Sequence, residues 1–198
     1  MKKLLILVIA LLLVSPALVS ANMLVNPGFE TGDVSGWTED WNIANQYAST
    51  SNPHNGTYAL RNANDGGMYQ DVDATAGWQY QLTGYEYIGI KGGTSAWGSF
   101  VGLQFLDASD NVIGDTEIDT TAFTPLSYQL ADTGLVTAPT GTITARVRFG
   151  TWANTPYDPL NPTDFDDFDL TAVPEPSSLM LLLTGITGIF GLGLKRKK

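Results

Sequence analysis

Between residues 22 and 172, apolar side chains alternate with polar ones over short stretches instead of recurring at helical spacing. The clearest stretch is Thr144-Ala145-Arg146-Val147-Arg148-Phe149, where Ala145, Val147 and Phe149 share one side and Thr144, Arg146 and Arg148 the other. Such a strand puts one face on a core and the other in water. Val101, Leu103 and Phe105 alternate in the same way, and Asp107-Ala108-Ser109-Asp110-Asn111 then turns the chain back into Val112 and Ile113, which predicts a hairpin. Tyr80 with Leu82, Tyr128 with Leu130, and Phe168 with Leu170 supply further alternating pairs. Gly, Thr, Asn and Asp punctuate these runs about every eight to twelve residues. Eight or more short strands in about 150 residues predict an all-β fold, a two-sheet β-sandwich with its inward faces packed together. The segment 155–163 holds three prolines in nine residues and predicts an exposed loop.

The two ends of the chain break this pattern. Met1-Lys2-Lys3 is a positive n-region, Leu4 to Val14 an apolar h-region and Val19-Ser20-Ala21 a small-residue cleavage site. Residues 1–21 therefore read as a signal peptide that signal peptidase removes before Asn22. The alternative is an uncleaved anchor, for which the apolar run is short. At the other end, Val173-Pro174-Glu175-Pro176 precedes an uncharged apolar run from Leu179 to Leu194 and the cluster Lys195-Arg196-Lys197-Lys198. Two prolines forbid helix across the Pro-Glu-Pro step, so residues 173–198 form a separate unit. At about 1.5 Å per residue the run reaches roughly 24 Å, short of the ~30 Å hydrocarbon core, which makes it a marginal transmembrane helix. The terminal cations stay cytoplasmic under the positive-inside rule and place the domain on the far side of the membrane.

This three-part tail resembles the PEP-CTERM sorting signal of Gram-negative bacteria. The resemblance implies cleavage near Pro174, Glu175 and Pro176 by an exosortase-type processing enzyme. It also implies transient anchoring in the inner membrane, followed by attachment to the cell surface or release. Chains that carry such a tail are often linked to exopolysaccharide and biofilm production.

Trimming the ends changes the charge. Of ten Lys and Arg residues only Arg61, Lys91, Arg146 and Arg148 remain, against nineteen of the twenty acids, a formal net charge of −15. A nucleic-acid partner is excluded on that ground, because a polyphosphate needs a cationic stripe. Divalent cations and neutral ligands fit better, although acidity also serves simply to keep an exported protein soluble. Cysteine is absent, so stability rests on the core or on a metal.

Four pieces of the domain carry a second resemblance. They are Asn26-Pro27-Gly28-Phe29-Glu30 with Gly36-Trp37, then Asn55-Gly56-Thr57-Tyr58-Ala59-Leu60, Gly77-Trp78-Gln79-Tyr80-Gln81-Leu82, and Phe165-Asp166-Asp167-Phe168-Asp169-Leu170. In order and spacing they resemble the jelly-roll carbohydrate-binding modules of the galactose-binding-like superfamily. The resemblance implies a structural calcium held by Glu30, Asp166 and the neighbourhood of Asn55, with Asn26 and Asp33 able to assist. If Phe168 and Leu170 face the core, a period of two puts Asp166 inward and Asp167 outward. An inward carboxylate needs a cation or donors. The competing reading has Glu30 and Asp166 pair with Arg61 or cap backbone amides. The segment 107–111 lacks the EF-hand pattern and reads as a turn.

Sugar recognition calls for aromatic faces and planar polar groups. Trp37 and Tyr80 read as core. Trp97 beside Gly92, Gly93 and Gly98, Trp152 near Asn154, and Tyr157 in the proline-rich segment are the candidate ligand-binding residues. Tyr85 and Tyr87 are candidates to line a sheet face with Arg146 and Arg148 as donors from a neighbouring strand; an ordinary solvated face is the other reading. Catalysis has little to stand on. His54 is the only histidine and sits in a turn signal, no Gly-x-Ser-x-Gly elbow or cysteine nucleophile exists, and a zinc site of several His or Cys is impossible. A carboxylate-pair glycosidase needs only two acids, but a small sandwich rarely offers the deep cleft that raises one of them. The expectation is a non-catalytic binding protein for extracellular polysaccharide, with a structural surface scaffold as the alternative.

Overall fold

The computed structural model describes residues 21–41, 46–62, 65–89, 97–124, 126–153 and 162–174. Eleven strands run in chain order: β1 Thr38–Trp41, β2 Gln46–Ser49, β3 Ala59–Asn62, β4 Gly66–Asp73, β5 Gln79–Ile88, β6 Trp97–Leu106, β7 Val112–Asp119, β8 Tyr128–Asp132, β9 Val136–Thr137, β10 Thr144–Ala153 and β11 Thr163–Val173. Among the described residues there is no helix, and none long and apolar enough to cross a membrane. The predicted signal peptide and sorting helix lie outside the described residues. The strands form two antiparallel sheets, one ordered β1-β4-β10-β6-β7 and the other β2-β3-β11-β5-β8 with β9 added alongside β5. This is the two-sheet sandwich that the alternation predicts, in the jelly-roll arrangement that the resemblance implies.

The alternation of β10 does what its sequence implies. Ala145, Val147 and Phe149 are fully buried, while Arg146 and Arg148 lie on the opposite face of the sheet. Phe149 is the hub of the core: its ring stands 5.1 Å from Trp37, 4.7 Å from Phe165 and 4.6 Å from Phe168 between centroids. Phe29 closes the cluster by stacking on Trp37 at 5.6 Å. Trp37 and Tyr80 are both core residues, and each polar tip is satisfied: Trp37 Nε1 donates to Asn26 O, and Tyr80 Oη accepts Thr75 N. The hairpin predicted at 107–111 joins β6 to β7, with Asp107 accepting the amides of Ser109 and Asn111.

Two expectations need correction. In β8, Tyr128 and Leu130 pair with Tyr87 and Tyr85 on the outer face, and it is Ala131 that is buried. In β11 the period of two is broken. Asp166 pairs with Tyr85 and Asp169 with Thr83, which leaves Asp167 and Phe168 both opposite Gly84, a bulge with Asp167 at φ 48°. The extra residue lets Phe165 and Phe168 both reach the core. Phe168 lies so close over Gly84 that a Cβ there would stand 2.4 Å from its ring. Asp166 therefore projects on the outer side with Tyr85, and it is buried by the loop that precedes β3, not by the core. β11 continues through Val173, paired with Gln79.

Candidate functional site

The outer face of the five-stranded sheet carries three aromatic rings in nearly parallel planes. Trp41 of β1 lies 6.0 Å from Phe100 of β6 at 9°, and Phe100 lies 5.6 Å from Trp152 of β10 at 26°. Register brings them together: Phe100 pairs with Gly150, Gly150 with Gly67, and Gly67 with Trp41, while Gly98 pairs with Trp152. The glycines make a floor. A Cβ on Gly67 would stand 2.1 Å from the Trp41 ring, and one on Gly98 would stand 1.7 Å from Trp152. Only residues without a side chain let both indoles lie down on the backbone. Trp152 remains 38% exposed, whereas Phe100 is 3% exposed between its neighbours. A large, rigid, apolar surface facing solvent is what the apolar side of a pyranose ring stacks on.

Polar groups border this surface. Arg148 lies over the Phe100 ring at 4.8 Å and donates to Asp40 at 2.8 Å, and Arg146 lies over Tyr69 at 4.2 Å and pairs bidentately with Asp71 at 2.7 and 2.8 Å. The guanidinium planes are thus fixed by carboxylates, with remaining N–H groups for hydroxyl acceptors. On β7, Glu117 occupies the same cross-strand row as Arg148, through Gly102. Burial raises the Glu117 carboxyl above its ordinary value, with Asp115 and Asp119 adding to the rise and Arg148 opposing it.

A second constellation sits at the loop before β3, where residues of the opening segment and of β11 both reach the loop backbone. Glu30 accepts the amides of Thr57 and Tyr58 at 2.9 Å, and its carboxylate fills the space a Cβ on Gly56 would need, 2.4 Å away. Asp166 accepts His54 N at 2.8 Å, Asn55 N at 3.4 Å and Asp167 N at 2.8 Å. Three acids surround Gly28: a Cβ there would stand 3.3 Å from Asp167 Oδ1, 3.4 Å from Asp166 Oδ1 and 3.8 Å from Glu30 Cγ. His54 stacks on Tyr85 at 3.8 Å with Nδ1 2.7 Å from Asp167 Oδ2. Arg61 is not a partner of Glu30 or Asp166, because it is held bidentately by the buried Asp164 at 2.8 and 2.9 Å.

Burial pushes the Asp166 carboxyl up to about 6, against the lowering effect of the His54 amide and with the Asp167 charge adding to the rise. The folded-state value exceeds the ordinary 3.8, so the folded form takes up this proton first. In calcium-free buffer Asp166 therefore adds stability as pH falls from about 6 towards 3.8, and that contribution is lost as pH rises through about 6. Melting temperatures from pH 7 to pH 5 in EDTA should show this rise in the wild type and a flatter profile in Asp166→Asn. Parallel profiles would contradict it.

The structure thus sorts the residues singled out by sequence. Glu30, Asn55 and Asp166 converge on one loop. Asn26 and Asp33 do not join them. Asn26 donates to Asp33 O and Ser35 O, and Asp33 accepts Thr31 Oγ1 and Ser35 N. Trp152 stands on the aromatic face; the side chain of Trp97 and the whole of Tyr157 lie outside the described residues. Tyr85 and Tyr87 do not share a face with Arg146 and Arg148, since β5 belongs to one sheet and β10 to the other. Trp41 and Phe100 were not expected from sequence. The available signal was Gly67, Gly98 and Gly150, one on each of three strands, which only register brings together.

The two-sheet sandwich resembles the jelly-roll fold of solved carbohydrate-binding modules. It is similar to TmCBM61, solved in complex with β-1,4-galactotriose, at 23% identity over 78% of this chain and 100% of that one, with a TM-score of 0.53. It is also similar to a family 16 carbohydrate-binding module, at 19% identity over 76% and 99% of the two chains and a TM-score of 0.58. A third likeness is to the CBM22-1 xylan-binding domain of Paenibacillus barcinonensis Xyn10C, at 12% identity over 79% and 97% and a TM-score of 0.52. No curated protein matches the chain in sequence. The tail is more particular: residues 172–197 match the PEP-CTERM protein-sorting motif. The chain is a jelly-roll sandwich that carries a PEP-CTERM sorting signal, which marks a secreted protein.

Proposed function

We propose that this is an exported, exosortase-processed, non-catalytic surface or matrix protein that binds extracellular polysaccharide across the outer face of the five-stranded sheet. The observation that carries the reading is the Trp41–Phe100–Trp152 row lying on a glycine floor and open to solvent at Trp152. Arg146 and Arg148 would meet sugar hydroxyls, their geometry held by Asp71 and Asp40. A neutral glycan suits a face on which each cation is already paired with an acid. Retention of the purified mature domain on immobilised glycans, including the producing cell's own exopolysaccharide, tests this directly. Retention on none of them favours the scaffold alternative. Reducing-sugar release from the same polysaccharide is expected to stay flat over time, and a rising course would overturn the non-catalytic assignment.

Calcium is the structural ion of this reading. Glu30 and Asp166 supply carboxylate oxygens with unused lone pairs, and carbonyls of the loop around Asn55 together with water would complete a shell of six to eight. Among the described residues no group of three or more His, Asp or Glu is arranged as a metal centre by itself, so main-chain oxygens have to contribute. Binding would hold the first and last segments of the domain to one loop. Millimolar calcium is expected to raise the melting temperature relative to EDTA, the added stability being about 2.7 kcal/mol at a hundredfold excess over Kd. Glu30→Gln should remove most of the gain. No shift in the wild type would retire the ion and leave the glycan face standing.

A further inference from the structure

The loop before β3 is clamped on both sides of its tip. On the leading side His54 stacks on Tyr85 at 3.8 Å and its backbone N donates to Asp166 at 2.8 Å. On the trailing side Glu30 accepts Thr57 N and Tyr58 N at 2.9 Å. Between the clamps stand Asn55 and Gly56, both exposed. Among the described residues neither the Asn55 side-chain amide nor Gly56 N makes a hydrogen bond. Asn55 is tied only through its own backbone N, 3.4 Å from Asp166 Oδ2. It is also the only one of the chain's eleven asparagines that precedes a glycine. Asparagine is thermolabile because the next backbone nitrogen can attack its side-chain carbonyl carbon, an intramolecular reaction that a following side chain obstructs. Glycine has no side chain, and Gly56 stands at φ 69°, in the left-handed region that other residues rarely adopt.

We propose that Asn55 is a site of spontaneous deamidation and, resting on the calcium reading above, that the carboxylate formed there joins Glu30 and Asp166 in holding the ion. In the first step Gly56 N bonds to Asn55 Cγ, the bond from Cγ to the side-chain nitrogen breaks, and ammonia leaves with the proton that Gly56 N gives up. Water then opens the five-membered imide. Opening at Cγ gives aspartate at position 55. Opening at the backbone carbonyl carbon gives isoaspartate, in which the main chain runs through the side chain and is one methylene longer. Nothing is oxidised or reduced. Either product turns a neutral amide into an acid beside Asp166, in a loop where Asp166, Asp167 and Glu30 already surround Gly28. Without a cation the added charge repels its neighbours; with one it is an added ligand, and ligand charge sets calcium affinity. The aspartate form keeps both clamps in place. The extra methylene of isoaspartate pushes the Glu30-bound amides away from those bound to Asp166.

The test incubates the full chain, purified in detergent, in warm, mildly alkaline, calcium-free buffer and follows the peptide spanning residues 55–57 by mass. The same chain unfolded in urea sets the pace. In the folded protein the peptide is expected to gain the mass difference between an amide and an acid before any other asparagine does, and Asn55→Gln is expected to stay unchanged. A folded chain still amidated at 55 after the unfolded one has converted would overturn the modification site. The ligand role is read separately, by calcium titration of Asn55→Asp. Calcium is expected to bind this variant about tenfold more tightly than the wild type, and the variant is expected to melt lower than the wild type in EDTA. Equal affinities would overturn the ligand role. Calcium binding by neither chain would sink the calcium reading and the ligand role with it, while the mass record would still decide whether Asn55 deamidates.

Discussion

Replacing Trp152 by alanine is expected to weaken glycan binding by about 30-fold, the effect of losing roughly 2 kcal/mol from a central aromatic anchor. Trp152 is the most exposed of the three rings, so truncation removes contact area from the ligand more than from the core. Its partner Phe100 then loses the indole stacked on it at 5.6 Å, and the remaining platform ends at a bare glycine strip along Gly98 and Gly150. Trp41→Ala should behave similarly, and the double variant should bind no glycan measurably if the row acts as one surface. Arg146→Ala separates stacking from hydrogen bonding: it removes donors and leaves the rings in place. Affinity electrophoresis or calorimetry against a bound glycan reads all four variants, with melting temperature as the control for folding. Unchanged affinity in Trp152→Ala and Trp41→Ala alike would move the ligand away from this face.

The sandwich was legible because β10 and β6 carry clean alternation, and alternation is a local property that survives without knowledge of neighbours. Its failure in β11 was also written in the sequence. Phe165 and Phe168 are three apart, and two residues at odd spacing reach the same core only through an inserted residue, which the structure places at Asp167. The loop site was legible in part: Glu30 and Asp166 both bond amides of the loop before β3, although Asp166 arrives from the outer side of the sheet. The aromatic face was hardly legible. Its floor is built by Gly67, Gly98 and Gly150, which stand on three strands far apart in the chain, and no local pattern reports which strands become neighbours. The same ignorance of sheet membership put Tyr85 and Tyr87 beside Arg146 and Arg148, which the topology separates.

Phe149→Ala is expected to be the most destabilising single change. Truncating a buried Phe costs about 3–5 kcal/mol, and the high end applies where neighbours cannot collapse into the space. Around Phe149 they cannot move freely. Trp37 is tied by its indole N–H to Asn26 O, Phe168 is pinned over Gly84, and Phe29 is held in a turn at φ 59°. The cavity would open between the two sheets, at the point where β10 faces β11. With no disulfide to hold the layers together, a loss of that size is a large fraction of the 5–15 kcal/mol typical of a domain. It should lower the melting temperature by about 10–15 °C for a domain of this length. Phe149→Leu keeps most of the volume and should cost about a third as much, which distinguishes a packing loss from disruption of the strand. Equal losses in the two variants would mean that the ring itself, through its edge and stacked contacts with Trp37 and Phe168, holds the layers together.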